Sequence, residues 1–370
     1  MLSRRGDPLS TARANVFPLQ GNIEVGSPRR RPSPTPCRRW LAICRYALWS
    51  ARRVIVPLLL LASVLTACSK SPDSGSDLLG DVARFLDPAT SVLVVCNVDQ
   101  MRNTGLYRWI ETDLQDVDGL SEAADEFDGP IAQAVKRVVI AVAPGGTAQE
   151  PSYEDSLHVV IETSLDDDFL RRVMVRSGGA FVSEAVGETA VWRHVDSDQP
   201  VALAQFEDGY IAFGHLHAVR AMVERVSERG GGLSPDSETL RVVGDMAEGA
   251  MAWGVVRMDE AVAAELPDAA GDLRAIQHVV VAATPDPAGD TIVTARATAK
   301  SPADAQQVEG KLQLAAGLGA LARDLSPDIA DFLLSLSVRR DGAVVTVRAV
   351  VTHEFVSSML DADDIPFIGD

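Results

Sequence analysis

The stretch SVLVVCNVD, Ser91 to Asp99, decides the fold predicted for this chain, because a similar pattern returns in AMAWGVVRMD, Ala250 to Asp259. Each stretch is a short apolar run, which is typical of a buried strand. Each run ends in an aspartate where a helix is expected to start. Asp99 and Asp259 are therefore interpreted as helix caps rather than as a catalytic pair.

The elements that follow the two opening strands come in the same order. The first copy continues, after a helical stretch that includes LYRWIETDL, with VKRVVIAVAP, LHVVIETS, LDDDFLRRVMV, TAVWRHV, VALAQFEDGYIAFG and LHAVRAMVERV. The second copy continues with IQHVVVAATP, DTIVTARATAKS, PADAQQVEGKLQLAAGLGALA, FLLSLSVRRDGAVVTVRAVV and HEFVSSML. This shared order predicts an internal duplication in which the loops differ in length.

The central helix of each copy is predicted to begin with a capping box. The boxes are formed by Ser164 with Asp167 and by Ser301 with Asp304, where each side chain can accept from a free backbone amide. Pro302 follows Ser301, at the first helical position, where proline is favoured. These signals place a helix start at the same point of both copies.

Short turns between neighbouring strands favour antiparallel pairing, and the late hairpin of each copy turns on an Asp-Gly pair at 208–209 and 341–342. The predicted fold class is therefore α+β, with two related modules at 78–230 and 236–360. Each module is expected to be a mostly antiparallel sheet with helices packed on one face. The glycine-rich segment SERGGGLSPDSE at 227–238 is interpreted as the boundary between them.

The most apolar run of the chain, Val54 to Thr66, follows Arg52 and Arg53. Thirteen helical residues span about 20 Å, which is short of the roughly 30 Å hydrocarbon core of a bilayer. A basic region, a short apolar region and small residues before a cysteine predict a secretion signal rather than a permanent membrane span. An ordinary signal peptide or a short anchor that happens to end in cysteine is the alternative.

The four residues Leu65-Thr66-Ala67-Cys68 resemble the lipobox of bacterial lipoproteins. The resemblance implies that residues 1–67 are removed as a precursor and that the Cys68 sulfur receives a diacylglyceryl group. It also implies acylation of the new amino terminus, and several acyl chains suffice for stable anchoring. Residues 68–77 then form a lipidated cysteine and a flexible tether. If the bacterium has two membranes, the resemblance also implies that Ser69, rather than an aspartate, favours the periplasmic face of the outer membrane.

The first 48 residues are long and arginine-rich for the start of a signal peptide. Translation is therefore expected to begin nearer Trp49, so that residues 1–48 represent a misassigned start. At the other end, residues 361–370 are predicted to form an acidic tail.

The charge balance excludes classes of partner. The precursor removes eleven arginines with Asp7 and Glu24, so the 34 basic and 52 acidic residues of the chain fall to 23 and 50, a net charge of −27. Nucleic-acid binding needs a basic footprint that this body lacks, and anionic membrane surfaces repel it. Attachment to a membrane is therefore expected to come from the lipid.

No catalytic motif for nucleotide binding, zinc hydrolysis, thiol redox chemistry or a nucleophile elbow occurs in the sequence. Cys96 is interpreted as a small buried hydrophobe, and GLGALA from Gly317 as close helix packing. His215-Leu216-His217 is considered as a metal pair and interpreted as polar junction residues. The acidic runs at 166–168 and 361–364 lack the spacing of a calcium loop. No cofactor and no metal are expected.

These observations favour a non-enzymatic, lipid-anchored protein of the cell envelope that works by binding or scaffolding. A protein or an apolar ligand in a cleft between the modules is the expected partner, besides the membrane. Two alternatives remain, a secreted hydrolase whose catalytic residues are dispersed in sequence and a carrier of a lipid or another apolar ligand.

Overall fold

The computed structural model describes residues 78–355, apart from 103, 105–130, 144–145, 148–149, 152–156, 167, 177–180, 196–200, 229–230, 260–261, 264–272, 287–289, 323–326 and 353. The signal region, the tether and the acidic tail lie outside the described residues. So do Cys68, Asp167 and Asp361 to Asp364, on which several of the predictions above depend.

The described residues form fourteen strands and seven α-helices. The strands are β1 Val92–Asn97, β2 Val135–Val142, β3 Gly146–Thr147, β4 Glu150–Pro151, β5 Leu157–Thr163, β6 Phe181–Val186, β7 Thr189–His194, β8 Val201–Phe206, β9 Tyr210–His215, β10 Ala252–Arg257, β11 Ile276–Pro285, β12 Thr291–Ala299, β13 Ser337–Asp341 and β14 Val344–Val351. The helices are α1 Val98–Met101, α2 Ile131–Ala134, α3 Phe169–Arg176, α4 Leu216–Ser227, α5 Glu238–Val243, α6 Pro302–Ala322 and α7 Pro327–Ser335, with 3₁₀ helices at Gly80–Phe85 and Gly244–Ala247.

Twelve of the strands form one sheet in the order β13-β14-β12-β11-β10-β1-β2-β5-β9-β8-β7-β6, and β3 pairs with β4 apart from it. Neighbouring strands are antiparallel throughout. The α+β class and the antiparallel sheet are thus confirmed. The two predicted modules do not have separate sheets, because β1 of the first pairs with β10 of the second.

The prediction that helices pack on one face is wrong. We call the side of the sheet on which Leu93 and Val95 lie the front face, and the side of Val94 and Cys96 the back face. Helices α4 and α5 pack on the front face, with strands from both halves. Helix α3 packs on the back face of β8 and β9, and α6 and α7 on the back face of β12 and β14. Strands β8 and β9 need cover on both faces because they are apolar on both sides, whereas β12 and β14 alternate and are covered on the back face.

Strand β9 shows the two-sided burial most clearly. Tyr210 and Ala212 belong to the front core, whereas Ile211 and Phe213 contact α3 on the back. Successive side chains of a strand point to opposite faces, so a fully apolar strand needs cover on both.

The turn and cap signals have mixed outcomes. Gly209 and Gly342 lie in the predicted hairpin turns with φ of 77° and 59°, values that favour glycine. Ser301 caps α6, because its Oγ accepts from the Asp304 amide at 3.2 Å. The box predicted at Ser164 is wrong, since α3 begins at Phe169 and the Ser164 hydroxyl donates instead to the Ala134 carbonyl at 3.3 Å.

The segment predicted as a boundary is attached to the start of the described chain. The Leu233 amide donates to the Ala83 carbonyl at 2.9 Å, and the Leu233 side chain is buried in the front core. At Gly232 a β-carbon would lie 2.5 Å from the Ala83 carbonyl oxygen, so only glycine fits there. The segment therefore ties the 3₁₀ helix at Gly80–Phe85 to the sheet.

A glycine of α6 allows close helix packing, as predicted, but the residue that does so is Gly319 rather than Gly317. Gly317 has open space around its α-carbon, whereas a β-carbon at Gly319 would lie 3.0 Å from Leu333 and 3.2 Å from the Ala330 carbonyl oxygen of α7. The small residue thus permits the approach of the two helices.

Candidate functional site

The two halves of the sheet meet where β1 pairs with β10, which we call the central pair, and Val94 lies opposite Gly254 there. A β-carbon at Gly254 would lie 3.2 Å from the Leu93 carbonyl oxygen and 3.3 Å from the Val94 side chain. Because Gly254 has no side chain, nothing projects from the back face of β10 at this position.

An apolar strip crosses the back face beside this pair. We define the strip by two rows of residues that the strand register places side by side, namely Val94 with Ile140 and Val159, and Cys96 with Val138 and Ile161. All six are only half-buried, while the front-facing residues between them are fully buried. Helix α3 lies on one side of the strip and α6 with α7 on the other.

Cys96 lies within this strip. The residue as a whole is half-buried, yet desolvation of its sulfur raises the pKa of the thiol to about 11. The neighbours of Cys96 in the register, Val138 and Ala252, are apolar, which accounts for the desolvation of the sulfur. A thiol that stays protonated is a poor nucleophile, which agrees with its interpretation as a small hydrophobe.

A polar cluster lies on the front face at the end of the central strands. The Ser91 hydroxyl donates a short hydrogen bond to the Asp259 carboxylate, whose other oxygen accepts from the Val262 amide at 2.9 Å. The Ala263 amide also donates to the Asp259 carbonyl at 2.9 Å, so Asp259 makes the hydrogen bonds of a helix cap, while residues 260–261 and 264–272 lie outside the described part of the chain. Arg257 lies 3.9 Å from the same carboxylate.

His278 faces Arg257 across the strand pair, and burial, with a smaller contribution from the Arg257 charge, lowers its pKa. In a nucleophilic triad the imidazole stands between the serine and the carboxylate. Here the carboxylate bonds Ser91 directly, and Arg257 separates Ser91 from His278 in the register. This cluster does not have the geometry of a triad.

The two histidines considered as a metal pair lie at the surface beside a helix start. His215 and His217 meet with their Nδ1 atoms 2.8 Å apart at the start of α4. The positive end of a helix dipole disfavours a cation there. Two further histidines, His158 and His194, are buried in the sheet. The described residues contain no group of three or more histidine, cysteine or carboxylate side chains placed to hold a metal.

The acidic residues before α3 are bound by neighbouring arginines. Asp166 pairs with Arg172 at 2.7 Å and Asp168 with Arg171 at 2.8 Å, and these hydrogen bonds lower the pKa of both carboxyls. The prediction that Asp99 caps a helix is wrong, because Asn97 is at the cap position and Asp99 pairs with Arg102 at 2.5 Å.

The sequence analysis missed the apolar strip. Its signal was present in the runs VLVVC and VVIAVA, which are apolar at every position and hence on both faces of a strand. No helix among the described residues has the length and apolar character needed to cross a bilayer.

Comparisons with known proteins give a fold likeness alone. No family model matches the chain, and no curated protein is similar in sequence. Two solved structures, crystal forms III and IV of TP0453, align with 76% of this chain and with 97% and 96% of their own. Both have a TM-score of 0.45, with sequence identities of 11% and 12%.

Proposed function

We propose that this chain is a lipid-anchored protein of the cell envelope, held to its membrane through Cys68 and acting by binding rather than catalysis. The observation that carries the proposal is the order of a basic region, an apolar run and Leu65-Thr66-Ala67-Cys68. The position of the first described residues supports it. Leu79, Val82 and Phe85 are buried against the front face, so nine residues separate an acylated Cys68 from the folded body.

Metabolic labelling tests the anchor. Radiolabelled palmitate is expected in the wild-type chain and not in Cys68→Ser, whereas Cys96→Ser, the matched control, should be labelled as the wild type is. Equal label in the wild type and Cys68→Ser contradicts the proposal. Fractionation of the same cells tests the proposed location at the periplasmic face of the outer membrane.

The folded body is proposed to consist of two copies of one unit. The strand order supports this proposal. Counted outward from the central pair, the first half runs β1-β2-β5-β9-β8 and the second β10-β11-β12-β14-β13. In both halves the fourth strand comes last in sequence, and β6 and β7 extend the first half beyond the common order.

Two irregularities at matching places give independent support. The pairing of β2 with β5 skips Lys136, between Val135 and Arg137. The pairing of β11 with β12 skips Gln277, directly after Ile276. Each skip falls near the start of the second strand of its half. A bulge is a specific local feature, so its recurrence favours common descent of the halves.

Binding of an apolar ligand is a second candidate function, which the half-buried strip on the back face favours. A site for such a ligand is concave and apolar with few polar groups. Titration of residues 69–370 with a fluorescent fatty acid tests it. Ile140→Asn in the strip should weaken binding, and Val182→Asn, on the edge strand β6, should not. Equal affinities of the two variants, or no binding by the wild type, contradict this function.

A further inference from the structure

The front face of the last three strands of the second half differs from the rest of the sheet. Thr294, Arg296 and Thr298 alternate along β12, and Thr346 and Arg348 along β14. The residues between them, among them Ala295, Ala297, Val345 and Val347, face α6 and α7 and are buried. The polar residues therefore lie on the opposite side of the strands, the front face.

The register of strands β12, β14 and β13 places the arginines of the front face close together. Thr346 pairs with Arg296 on one side and with Arg339 of β13 on the other, and Arg348 lies two residues further along β14. We call Arg296, Arg339, Arg348 and Thr346 the arginine face. Side chains at direct and diagonal positions of adjacent strands lie within reach of one another.

The charges of this face are not all compensated. Arg296 is largely buried and pairs with Asp245 at 3.0 Å. Arg339 and Arg348 are exposed, and within the described part of the chain neither forms an ion pair. Asp341 follows on the same face at the end of β13, next to the hairpin. The Thr346 hydroxyl is buried beneath this cluster and has no hydrogen-bond partner among the described residues.

The front face of the first half is apolar and covered by a helix at the corresponding strands. On the third and fourth strands from the central pair it presents Val160 and Ala212, and α4 covers them through Val219 and Met222. In the second half the corresponding strands present Arg296 and Thr346. Arginine is suited to planar, bidentate recognition of phosphate and carboxylate.

The described part of the chain begins on this same front face. The Leu79 carbonyl accepts from Arg137 of β2 at 3.0 Å. Four strand spacings of about 4.8 Å separate β2 from β12, roughly 19 Å. The nine residues between Cys68 and Leu78 reach about 30 Å when extended. An anchor at Cys68 therefore lets the arginine face touch the membrane surface.

We propose that the arginine face binds the phosphate groups of anionic lipids in the membrane that holds the anchor. This inference rests on the proposed lipid anchor for its geometry. The face orients an otherwise acidic body with its front side toward the bilayer. At about 0.1 M salt, charges farther than about 10 Å are screened, so the contacting face outweighs the distant acidic residues.

Vesicle co-sedimentation of residues 69–370, which contain every described residue, tests the proposal. The body should bind vesicles of phosphatidylcholine with phosphatidylglycerol and not vesicles of phosphatidylcholine alone. The double variant Arg339→Gln with Arg348→Gln should partition roughly thirtyfold less, since each arginine near an anionic surface contributes about fivefold. The control Arg171→Gln with Arg172→Gln removes the same charge from α3 on the back face and should bind as the wild type does.

Three outcomes overturn the proposal, namely no binding by the wild type, equal loss in the two double variants, and displacement by inorganic phosphate at the concentration of lipid phosphate. The assay does not depend on Cys68. Palmitate labelling of the full chain with the arginine substitutions should equal that of the wild type, so failure of the arginine face is distinguishable from failure of the anchor.

Discussion

Val94 of β1 and Gly254 of β10 are opposite each other in the strand pair that joins the two halves. Val92 pairs with Val256 on one side, and Cys96 pairs with Ala252 on the other. This antiparallel pair joins the halves through backbone hydrogen bonds, and both halves contribute residues to the front core.

We expect the two halves to unfold together. Leu93 of the first half and Trp253 and Val255 of the second lie in one buried cluster, so exposing either half breaks the core of the other. Calorimetry of residues 69–370 should give a single transition whose calorimetric and van't Hoff enthalpies agree. Two resolved transitions would mean that the halves are independent domains.

Gly232→Ala should destabilise the body by about 1–3 kcal/mol, because the new β-carbon would lie 2.5 Å from the Ala83 carbonyl oxygen and 2.6 Å from the Arg84 α-carbon. Gly310→Ala is the control, since Gly310 lies inside α6 with nothing within 4 Å and alanine there should stabilise by about 0.5–1 kcal/mol. Urea denaturation measures both. Equal effects of the two substitutions would contradict the attachment of this segment to the 3₁₀ helix.

Ser301→Ala should lower the free energy of unfolding by about 1 kcal/mol, because the Asp304 amide loses its cap. Ser164→Ala should cost less, since the Ser164 hydroxyl caps no helix and makes only a 3.3 Å bond to the Ala134 carbonyl. Thermal melts of the two variants give the comparison. A larger loss at Ser164 would restore the capping box that the sequence predicted.

The Cys96 thiol should react slowly in the folded body. Burial raises its pKa from 9.0 to about 11, so the thiolate fraction at pH 8 is about a hundredfold lower than in the unfolded chain. Iodoacetamide alkylation of residues 69–370, with and without denaturant, should differ by at least that factor. Equal rates would contradict a desolvated thiol.

The same shift makes stability depend on pH. Below pH 9 the thiol is neutral in both states, and between about pH 9 and 11 only the unfolded state loses its proton. The contribution of Cys96 is therefore present below pH 9 and is lost as pH rises through that window. Denaturation of Cys96→Ala in parallel isolates it, and the two curves should converge towards pH 11.

Local patterns in the sequence predicted much of the fold. The strands follow from apolar runs, the hairpins at Gly209 and Gly342 from Asp-Gly pairs, and the start of α6 from Ser301 and Pro302. These signals act over a few residues, so a single sequence contains them.

Long-range relationships were not predictable in the same way. The union of the halves depends on β1 pairing with β10, some 160 residues away, and no local signal specifies it. The cover on both faces of the sheet was missed because two-sided apolar strands were assigned helices on one face. The arginine face was visible only as alternating threonine and arginine in Thr294 to Thr298, which gains meaning once β13 and β14 lie beside it.

The mass of the amino-terminal peptide of the native protein tests the central claim most directly. Protein extracted from membranes and digested with a protease should yield a first peptide that begins at Cys68 and carries a diacylglyceryl group. A first peptide with an unmodified Cys68, or one that begins upstream of it, would contradict a lipid anchor and with it the orientation inferred for the arginine face.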